Sequence, residues 1–295
     1  MAIKEVIKKA DVLIEALPYI QRFRGATIVV KFGGSAMEDK AHIDGVLTDL
    51  TFMECAGMLP VVVHGGGKAI SRAMKEKGME PKFVNGIRVT CEQTMEVVQQ
   101  VMNNEINPDI VAGLRERGAR AEGVHGEDIF SVVKKEFADD KGQPVDYGFV
   151  GEPHGVDTGP IIQLLAKEII PVVTPLGRGP DGKVYNTNAD TAAAALAKAL
   201  KARKLAFLSD VPGLLGNPED QESVISTLKL SEVETLIEKG VISGGMLPKI
   251  QSAVEALRSG VRKIHMIDGR MPHSLLLEIF TDKGVGTEIV TDEQD

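Results

Sequence analysis

At 295 residues, 43% of them hydrophobic, the chain has the length and composition of one large or two smaller globular domains with a substantial core. Its formal charge of −8 excludes nonspecific attraction to nucleic acid or to an anionic membrane surface, though not a local cationic site for a small anion. The sequence shows no apolar run of roughly eighteen residues, no secretory leader pattern, and no disulfide framework or metal-ligand spacing at Cys55 and Cys91. A cytoplasmic protein is therefore expected, with its thiols reduced and set as small hydrophobes in or near the core.

Residues 1–24 predict an amphipathic helix, with Val6, Ala10, Leu13, Ile14, Leu17 and Ile20 near one stripe and Pro18 expected to kink or restart it. That stripe must be covered either by its own domain or by another subunit. Two β-branched runs, 27–30 and 59–63, are too densely apolar to alternate, as strands buried on both faces require. Gly33-Gly34 follows the first and Gly65-Gly66-Gly67 the second. A helix is expected over 68–77, closed by Gly78. Thr90-Cys91-Glu92-Gln93 has the form of a capping box and opens a long helix towards Gly118, in which Pro108 forces a kink or two segments. Residues 120–157 differ: short β-prone pieces at 130–133 and 147–150 among Gly, Asp and Pro suggest hairpins. Alternation then resumes with a helix at 161–167, a strand at 169–174, a helix at 189–200 and a strand at 205–209. A second capping box, Ser231 to Glu234, precedes segments at 250–258, 263–267 and 274–280. The pattern predicts an α/β protein with a mainly parallel sheet between helices, as two lobes of one continuous sheet meeting near 180–200.

Open parallel sheets bind ligands beyond the carboxyl ends of their strands, which directs attention to the segment after each apolar run. Lys31-Phe32-Gly33-Gly34 can bring an ammonium and close backbone amides to a phosphate; a strand-end lysine before an ordinary turn is the plainer reading. His64-Gly65-Gly66-Gly67-Lys68 spends chain entropy on three glycines at a helix start, which suits amides aimed at an anion. It lacks the Walker A spacing, and Ile70 stands where a Rossmann fingerprint needs glycine; His64 itself can be a histidine holding the turn. Asn186-Thr187-Asn188-Ala189-Asp190 offers Asn188 as a helix cap and Asp190 in the first turn, with more polar side chains than one cap requires. Asp210, entering the turn Val211-Pro212-Gly213, and Gly244-Gly245-Met246-Leu247-Pro248-Lys249 again combine strand ends, glycines and a cation. Gly177-x-Gly179-x-x-Gly182 matches a dinucleotide pattern in form, but Pro180-Asp181-Gly182 is a turn with no helix after it.

In combination, Lys-Phe-Gly-Gly at 31–34, Val-His-Gly-Gly-Gly at 63–67, Asn-Gly-Ile-Arg-Val-Thr at 85–90, Asn-Thr-Asn-Ala-Asp at 186–190 and Gly-Gly-Met-Leu-Pro-Lys at 244–249 resemble the amino acid kinase family, over residues 27–290. The resemblance implies an αβα sandwich with an open, mainly parallel sheet, divided into an N-terminal oligomerisation helix (1–24) and a kinase domain (25–295), itself an acceptor-binding lobe (25–200) and an ATP-binding lobe (201–295). It implies transfer of the γ-phosphoryl group of ATP, with Mg²⁺ bridging the phosphates, to the γ-carboxylate of N-acetyl-L-glutamate. Lys31 and Lys249 would flank the transferring group and Asp190 would hold them. Gly33, Gly34, Gly66 and Gly67 would supply amides. Arg88, Asn186 and Asn188 would bind the acceptor, while Asp210, Gly213 and Leu214 would lie along the nucleotide; no side chain is assigned as a metal ligand.

Such a mechanism needs no general base, because a γ-carboxylate is already ionised at pH 7. Its obstacle is charge repulsion, which lysines, amides and a metal offset. The resemblance further extends to arginine-inhibited members, in which an N-terminal helix interlaces dimers into a hexamer (a trimer of dimers). By that likeness Tyr19, Lys204, His265, Glu278 and Gly284 would form a site for L-arginine. Other acids as acceptors, or a catalytically silent arginine sensor, remain the alternatives; retention of Lys31, Asp190 and Lys249 together speaks against the sensor.

Overall fold

The computed structural model describes residues 3–84, 86–138, 144–217, 219–220, 223–244, 246–281 and 284–292, so Asn85 and Gly245 of the motifs above lie outside the described residues. The chain begins with α1 (Ile3–Phe23), β1 (Thr27–Phe32), α2 (Lys40–Cys55), β2 (Leu59–His64) and α3 (Gly67–Glu76). A long helical stretch comes next, α4 (Glu92–Val101) and α5 (Asn107–Glu116), with one π-helical turn (Met102–Ile106) between them. The middle of the chain forms β3 (Ala121–Val124), β4 (Phe130–Lys134), β5 (Val150–Val156), α6 (Gly159–Leu165), β6 (Ile170–Val173), β7 (Leu176–Arg178) and β8 (Val184–Thr187). The last third holds α7 (Ala189–Ala199), β9 (Lys204–Ser209), β10 (Thr227–Lys229), α8 (Val233–Glu238), α9 (Met246–Arg258), β11 (Lys263–Asp268), α10 (Ser274–Ile279) and β12 (Thr287–Val290).

Eight strands form one sheet in the order β10-β12-β11-β9-β1-β2-β6-β3. The six from β11 to β3 are parallel, and β12 pairs antiparallel with β11. Alternate residues of β1 feed opposite layers, as the pleat dictates. Val29 joins Val61, Val63, Leu205 and Phe207 beneath the alanine face of α7 and the Ile250 and Ala253 face of α9. Ile28, Val30 and Phe32 pack with Leu47, Leu50 and Met53 of α2, Leu114 of α5 and Leu275 of α10. Burial on both faces explains why these strands read as unbroken apolar runs. The strands β4, β5, β7 and β8 close into a small ring, with β5 against α7.

Several expectations are corrected. Ile3–Phe23 form a single helix with Pro18 inside it, so the helix does not restart there. Its Ala10, Leu13, Ile14 and Leu17 are exposed, so the chain's own body does not cover the stripe, but Phe23 is buried in the core, which ties the end of this segment to the body. Thr90 does not cap α4; Cys91 occupies the N-cap position and Thr90 Oγ1 donates to the Arg88 carbonyl. Ser231 does not cap α8 either, since its hydroxyl donates to Asp292 Oδ1. The strand expected at 147–150 starts only at Val150 and runs to Val156, through Gly151, Pro153 and Gly155. Both thiols are exposed rather than core. Gly177, Gly179 and Gly182 belong to the β7–β8 hairpin and its turn. Among the described residues no helix is long and apolar enough to cross a membrane.

Candidate active site

The carboxyl ends of β1 and β2 lie side by side, with Lys31 opposite Val63 and Phe32 opposite His64, so the two glycine segments emerge next to each other. Gly65 N–H donates to the Phe32 carbonyl at 2.7 Å. Gly33 and Gly65 approach so closely that a Cβ on Gly33 would stand 2.8 Å from Lys31 Nζ and 3.6 Å from Gly65 Cα. Glycine at 33 thus leaves room for the Lys31 side chain to lie over the crossing. Gly34 has φ +71°, a left-handed conformation that begins the turn after β1 and that glycine adopts without penalty.

Asp190 stands in the first turn of α7, where Asn188 caps the helix by accepting from the amides of Asp190 (2.8 Å) and Thr191 (3.1 Å). Its two carboxylate oxygens meet two ammonium groups, Lys31 Nζ at 2.9 Å and Lys249 Nζ at 2.8 Å. Lys31 comes from the sheet and Lys249 from the first turn of α9, so one buried carboxylate joins both sides of the molecule. Burial opposes the charge on Asp190, but the two lysines outweigh it and hold the carboxyl below the usual carboxylate range. Burial, with the neighbouring Lys249, pushes Lys31 below the ordinary lysine range against the pull of Asp190. One buried carboxylate thus holds two lysine side chains at the edge of the cleft.

A cleft of about 660 Å³ opens beside this cluster, lined among others by Lys31, Gly34, Gly66, Gly67, Arg88, Asn186, Asn188 and Asp190. Arg88 is held by α3: its guanidinium donates to the Gly67 carbonyl at 2.7 Å and to Ser71 Oγ at 2.8 Å, and lies 4.6 Å from the centre of the Phe83 ring. Asn186 Nδ2 donates to Thr90 Oγ1 at 3.4 Å. Lys68, which closes the glycine motif after β2, lines the cleft as well, and so do Ser71 and Lys135, which were not singled out because a polar residue on a helix or loop carries no distinguishing mark in sequence.

The residues expected along the nucleotide fare unevenly. Asp210 is exposed at the end of β9, the neighbour of β1, and its charge reaches Lys31. Gly213 is needed where it stands, because a Cβ would meet Thr287 Oγ1 at 2.7 Å. Leu214 is withdrawn: its side chain is in the core, its N–H donates to Thr287 Oγ1 and its carbonyl accepts from Ile225. Gly213 and Leu214 are not among the residues lining the cleft.

Of the residues expected to hold the inhibitor, Lys204, His265 and Gly284 gather around Glu278, and Tyr19 meets Phe280, two positions further along the chain. His265 Nδ1 bonds Glu278 Oε1 at 2.6 Å, and Glu278 Oε2 accepts from the amides of Val285 (2.7 Å) and Gly286 (3.1 Å). A Cβ on Gly284 would press on that carboxylate at 2.6 Å. Lys204, buried and pushed down to about 8 by desolvation, lies 5.1 Å from the centre of the Phe23 ring and is partly supported by the charges of Glu278 and Glu288. Tyr19 of α1 meets Phe280 edge-on, beside a groove of about 590 Å³ bordered by Glu15, Arg22 and Thr281. Glu288, which takes Lys263 at 2.7 Å, and Phe23 complete the cluster and were not read from the sequence.

These arrangements have counterparts. An acetylglutamate kinase of Akkermansia muciniphila is 46% identical over 293 residues, 99% of each chain. One of Pelotomaculum thermopropionicum is 48% identical over 288 residues, 96% of this chain and 98% of the other. Among solved structures, N-acetylglutamate synthase of Neisseria gonorrhoeae, complexed with coenzyme A and N-acetyl-glutamate, superposes with a TM-score of 0.83 at 27% identity; the match covers 96% of this chain and 63% of the synthase. Giardia carbamate kinase shares the fold alone, with a TM-score of 0.66 at 17% identity over 90% of this chain and 99% of the other. The family model described as the amino acid kinase family matches residues 26–268. With both lysines, their shared aspartate and the glycine-lined cleft in place, the chain belongs to the amino acid kinase family of ATP-dependent kinases.

Proposed function

We propose that this chain transfers the γ-phosphoryl group of ATP to the γ-carboxylate of N-acetyl-L-glutamate in the cytoplasm, forming N-acetyl-L-glutamyl 5-phosphate and ADP. The observation that carries the reading is the Lys31–Asp190–Lys249 cluster at the edge of a glycine-lined cleft. An ionised carboxylate attacking a polyanion needs positive charge and amide donors rather than a base, and this site offers those. Lys31 and Lys249 would take up charge on the transferring group, with Asp190 keeping both aligned. The amides of Gly33, Gly34, Gly66 and Gly67 would face phosphate and acceptor oxygens. Arg88, Asn186 and Asn188 would hold the acceptor's α-carboxylate and acetamido end, and Asp210 with the Gly213 turn would border the nucleotide. Mg²⁺ would arrive with the nucleotide, held by its phosphates. It would supply further positive charge at the transferring group.

The test is ADP formation from Mg-ATP with N-acetyl-L-glutamate, L-glutamate or L-aspartate, for the wild type and for Asp190→Asn. Turnover with the acetylated acid only, lowered about 100-fold in the variant, is the expected result. Turnover with another acid would move the substrate, and an unimpaired variant would remove the cluster from the mechanism.

The same reading extends to regulation and assembly. L-arginine would bind at Tyr19, Lys204, His265, Glu278 and Gly284; in support, His265 and the Gly284 segment gather at the Glu278 carboxylate, and Tyr19 borders an open groove. The exposed apolar face of α1 supports its use between dimers, as a hexamer built from three of them. A boundary between an acceptor lobe (25–200) and a nucleotide lobe (201–295) suits the crossing of Lys31 and Lys249 at Asp190. Addition of L-arginine to the assay should suppress turnover; an unaffected rate would leave the kinase and remove the inhibitor site.

A further inference from the structure

The peptide unit between Gly65 and Gly66 is held from behind by a chain of buried polar groups that reaches across three elements. His64 is fully buried, and its Nδ1 stands 2.9 Å from the Gly65 carbonyl oxygen. A carbonyl can only accept, so Nδ1 carries the proton and Nε2 is left with a lone pair. That lone pair accepts from Asn107 Nδ2 at 3.2 Å, and the second hydrogen of the same amide goes to the Val172 carbonyl at 2.8 Å. Two acceptors on one side fix which way the Asn107 amide faces. Its Oδ1 then lies against Gly123, where a Cβ would come within 2.2 Å.

The consequence lies one bond further on. A trans peptide is planar, with its C=O and N–H on opposite sides. Holding the Gly65 oxygen towards the core therefore turns the Gly66 N–H outward, towards the cleft that Gly66 lines. The neighbouring carbonyl and amide are also taken: Gly65 N–H is bound to Phe32, and the Gly67 oxygen to Arg88 and Ser71. The π-helical turn completes the clamp, because Met102 and Ile106 sit where a Cβ on Gly66 would fall, 2.5 Å from Met102 Sδ and 2.7 Å from Ile106 Cδ1.

We infer that His64 and Asn107 are positioning residues that aim the Gly66 N–H at the anion bound in the cleft, through the Gly65 carbonyl. The inference rests on the phosphoryl-transfer reading of that cleft. It requires a histidine that never charges at working pH, and burial pushes His64 down to about 4, with no charged side chain contributing to the shift.

Two substitutions separate aiming from mere packing. His64→Asn keeps an amide donor the same number of bonds from Cβ as Nδ1, but offers Asn107 no ring acceptor. His64→Leu fills similar space with no donor at all. With Mg-ATP and N-acetyl-L-glutamate, below the lower melting temperature of the two, His64→Leu should lose about 30-fold in kcat with both KM values within about threefold, and His64→Asn should recover about tenfold of that loss. Equal impairment of the two, or a Leu variant with wild-type kcat, would overturn the inference. The imidazole ¹⁵N resonances of the wild type give a reading that needs no turnover. The Nδ1–H tautomer, unchanged from pH 5.5 to 9, is expected; an Nε2–H tautomer or a titrating ring would overturn the relay even in a protein that fails to phosphorylate the acid.

Discussion

Lys204 illustrates how a single buried cation sets the dependence of stability on pH. Desolvation pushes it down to about 8, and Glu278 and Glu288 offset this only in part. In the unfolded chain the same amine titrates near 10.4. Below pH 8 both states hold the proton, and the folded state bears the cost of a buried charge. Between about pH 8 and 10.4 the unfolded chain keeps a proton that the folded chain has released, so stability rises with pH across that window. Lys204→Met removes the charge and keeps the length of the side chain. We expect it to stabilise the protein by about 3 kcal/mol at pH 7 and to erase the alkaline rise relative to wild type. Urea unfolding at pH 7 and pH 10 measures both, and a variant no more stable than wild type at pH 7 would mean that the carboxylates fully compensate the charge. The residue was legible in the sequence only through family resemblance, because a lysine at the start of an apolar run ordinarily snorkels. What traps it here is Phe23, held in place across 181 positions of sequence by the Arg203 guanidinium, which donates to the Arg22 carbonyl.

Elements differ in how far local chemistry determines them. The strands β1, β2 and β9 and the glycine turns after them were readable, since a dense β-branched run and its glycine punctuation are properties of a few adjacent residues. The strand β5 was not: Gly151, Pro153 and Gly155 argue against a strand, and the ladder with β4 overrides them. Gly151 is required because a Cβ would stand 2.9 Å from both Tyr185 Cβ and Val132 Cγ2. The break near Pro108 was expected, whereas its form, a π turn whose Met102 and Ile106 pack where a Cβ on Gly66 would fall, has no mark in the local sequence pattern. That turn can be tested by removing one residue from it. Asn104 is exposed and bonds only Gln100 among the hydrogen bonds described, so its deletion spares the core while restoring regular α-helix. Because a π turn spends one residue more than an α turn on a revolution, the flanking helices keep their facing and only the bulge that sets Met102 and Ile106 against Gly66 is lost. Circular dichroism should show an intact helix content, while kcat should fall at least as far as in His64→Leu. A deletion variant with wild-type kcat would show that the turn has no part in shaping the cleft.

The exposed face of α1 poses its question at the scale of the whole molecule. Ile3 and Ile7 lead into Leu13, Ile14 and Leu17 along one side, with Ile3, Leu13 and Ile14 each more than 60% exposed. A row of large apolar side chains on a surface helix is costly to leave in water, at about 25 cal/mol for each Å². The other end of the same helix is firmly anchored, since Phe23 is buried, Tyr19 meets Phe280, and the Arg22 carbonyl takes Arg203. A boundary at residue 24 would therefore cut through the core, and a clean truncation must stop earlier. Removing residues 1–16 leaves those anchors and the Lys31–Asp190–Lys249 cluster untouched. If α1 joins dimers into a ring, sedimentation should show a hexamer for the full chain and a dimer for the truncated one, with kcat kept within about threefold. The stripe would then be buried only in the assembly, which is why no partner for it exists within one described chain. Should the truncated protein remain hexameric, another surface holds the ring. Should the full chain prove monomeric at micromolar concentration, α1 must meet a different partner.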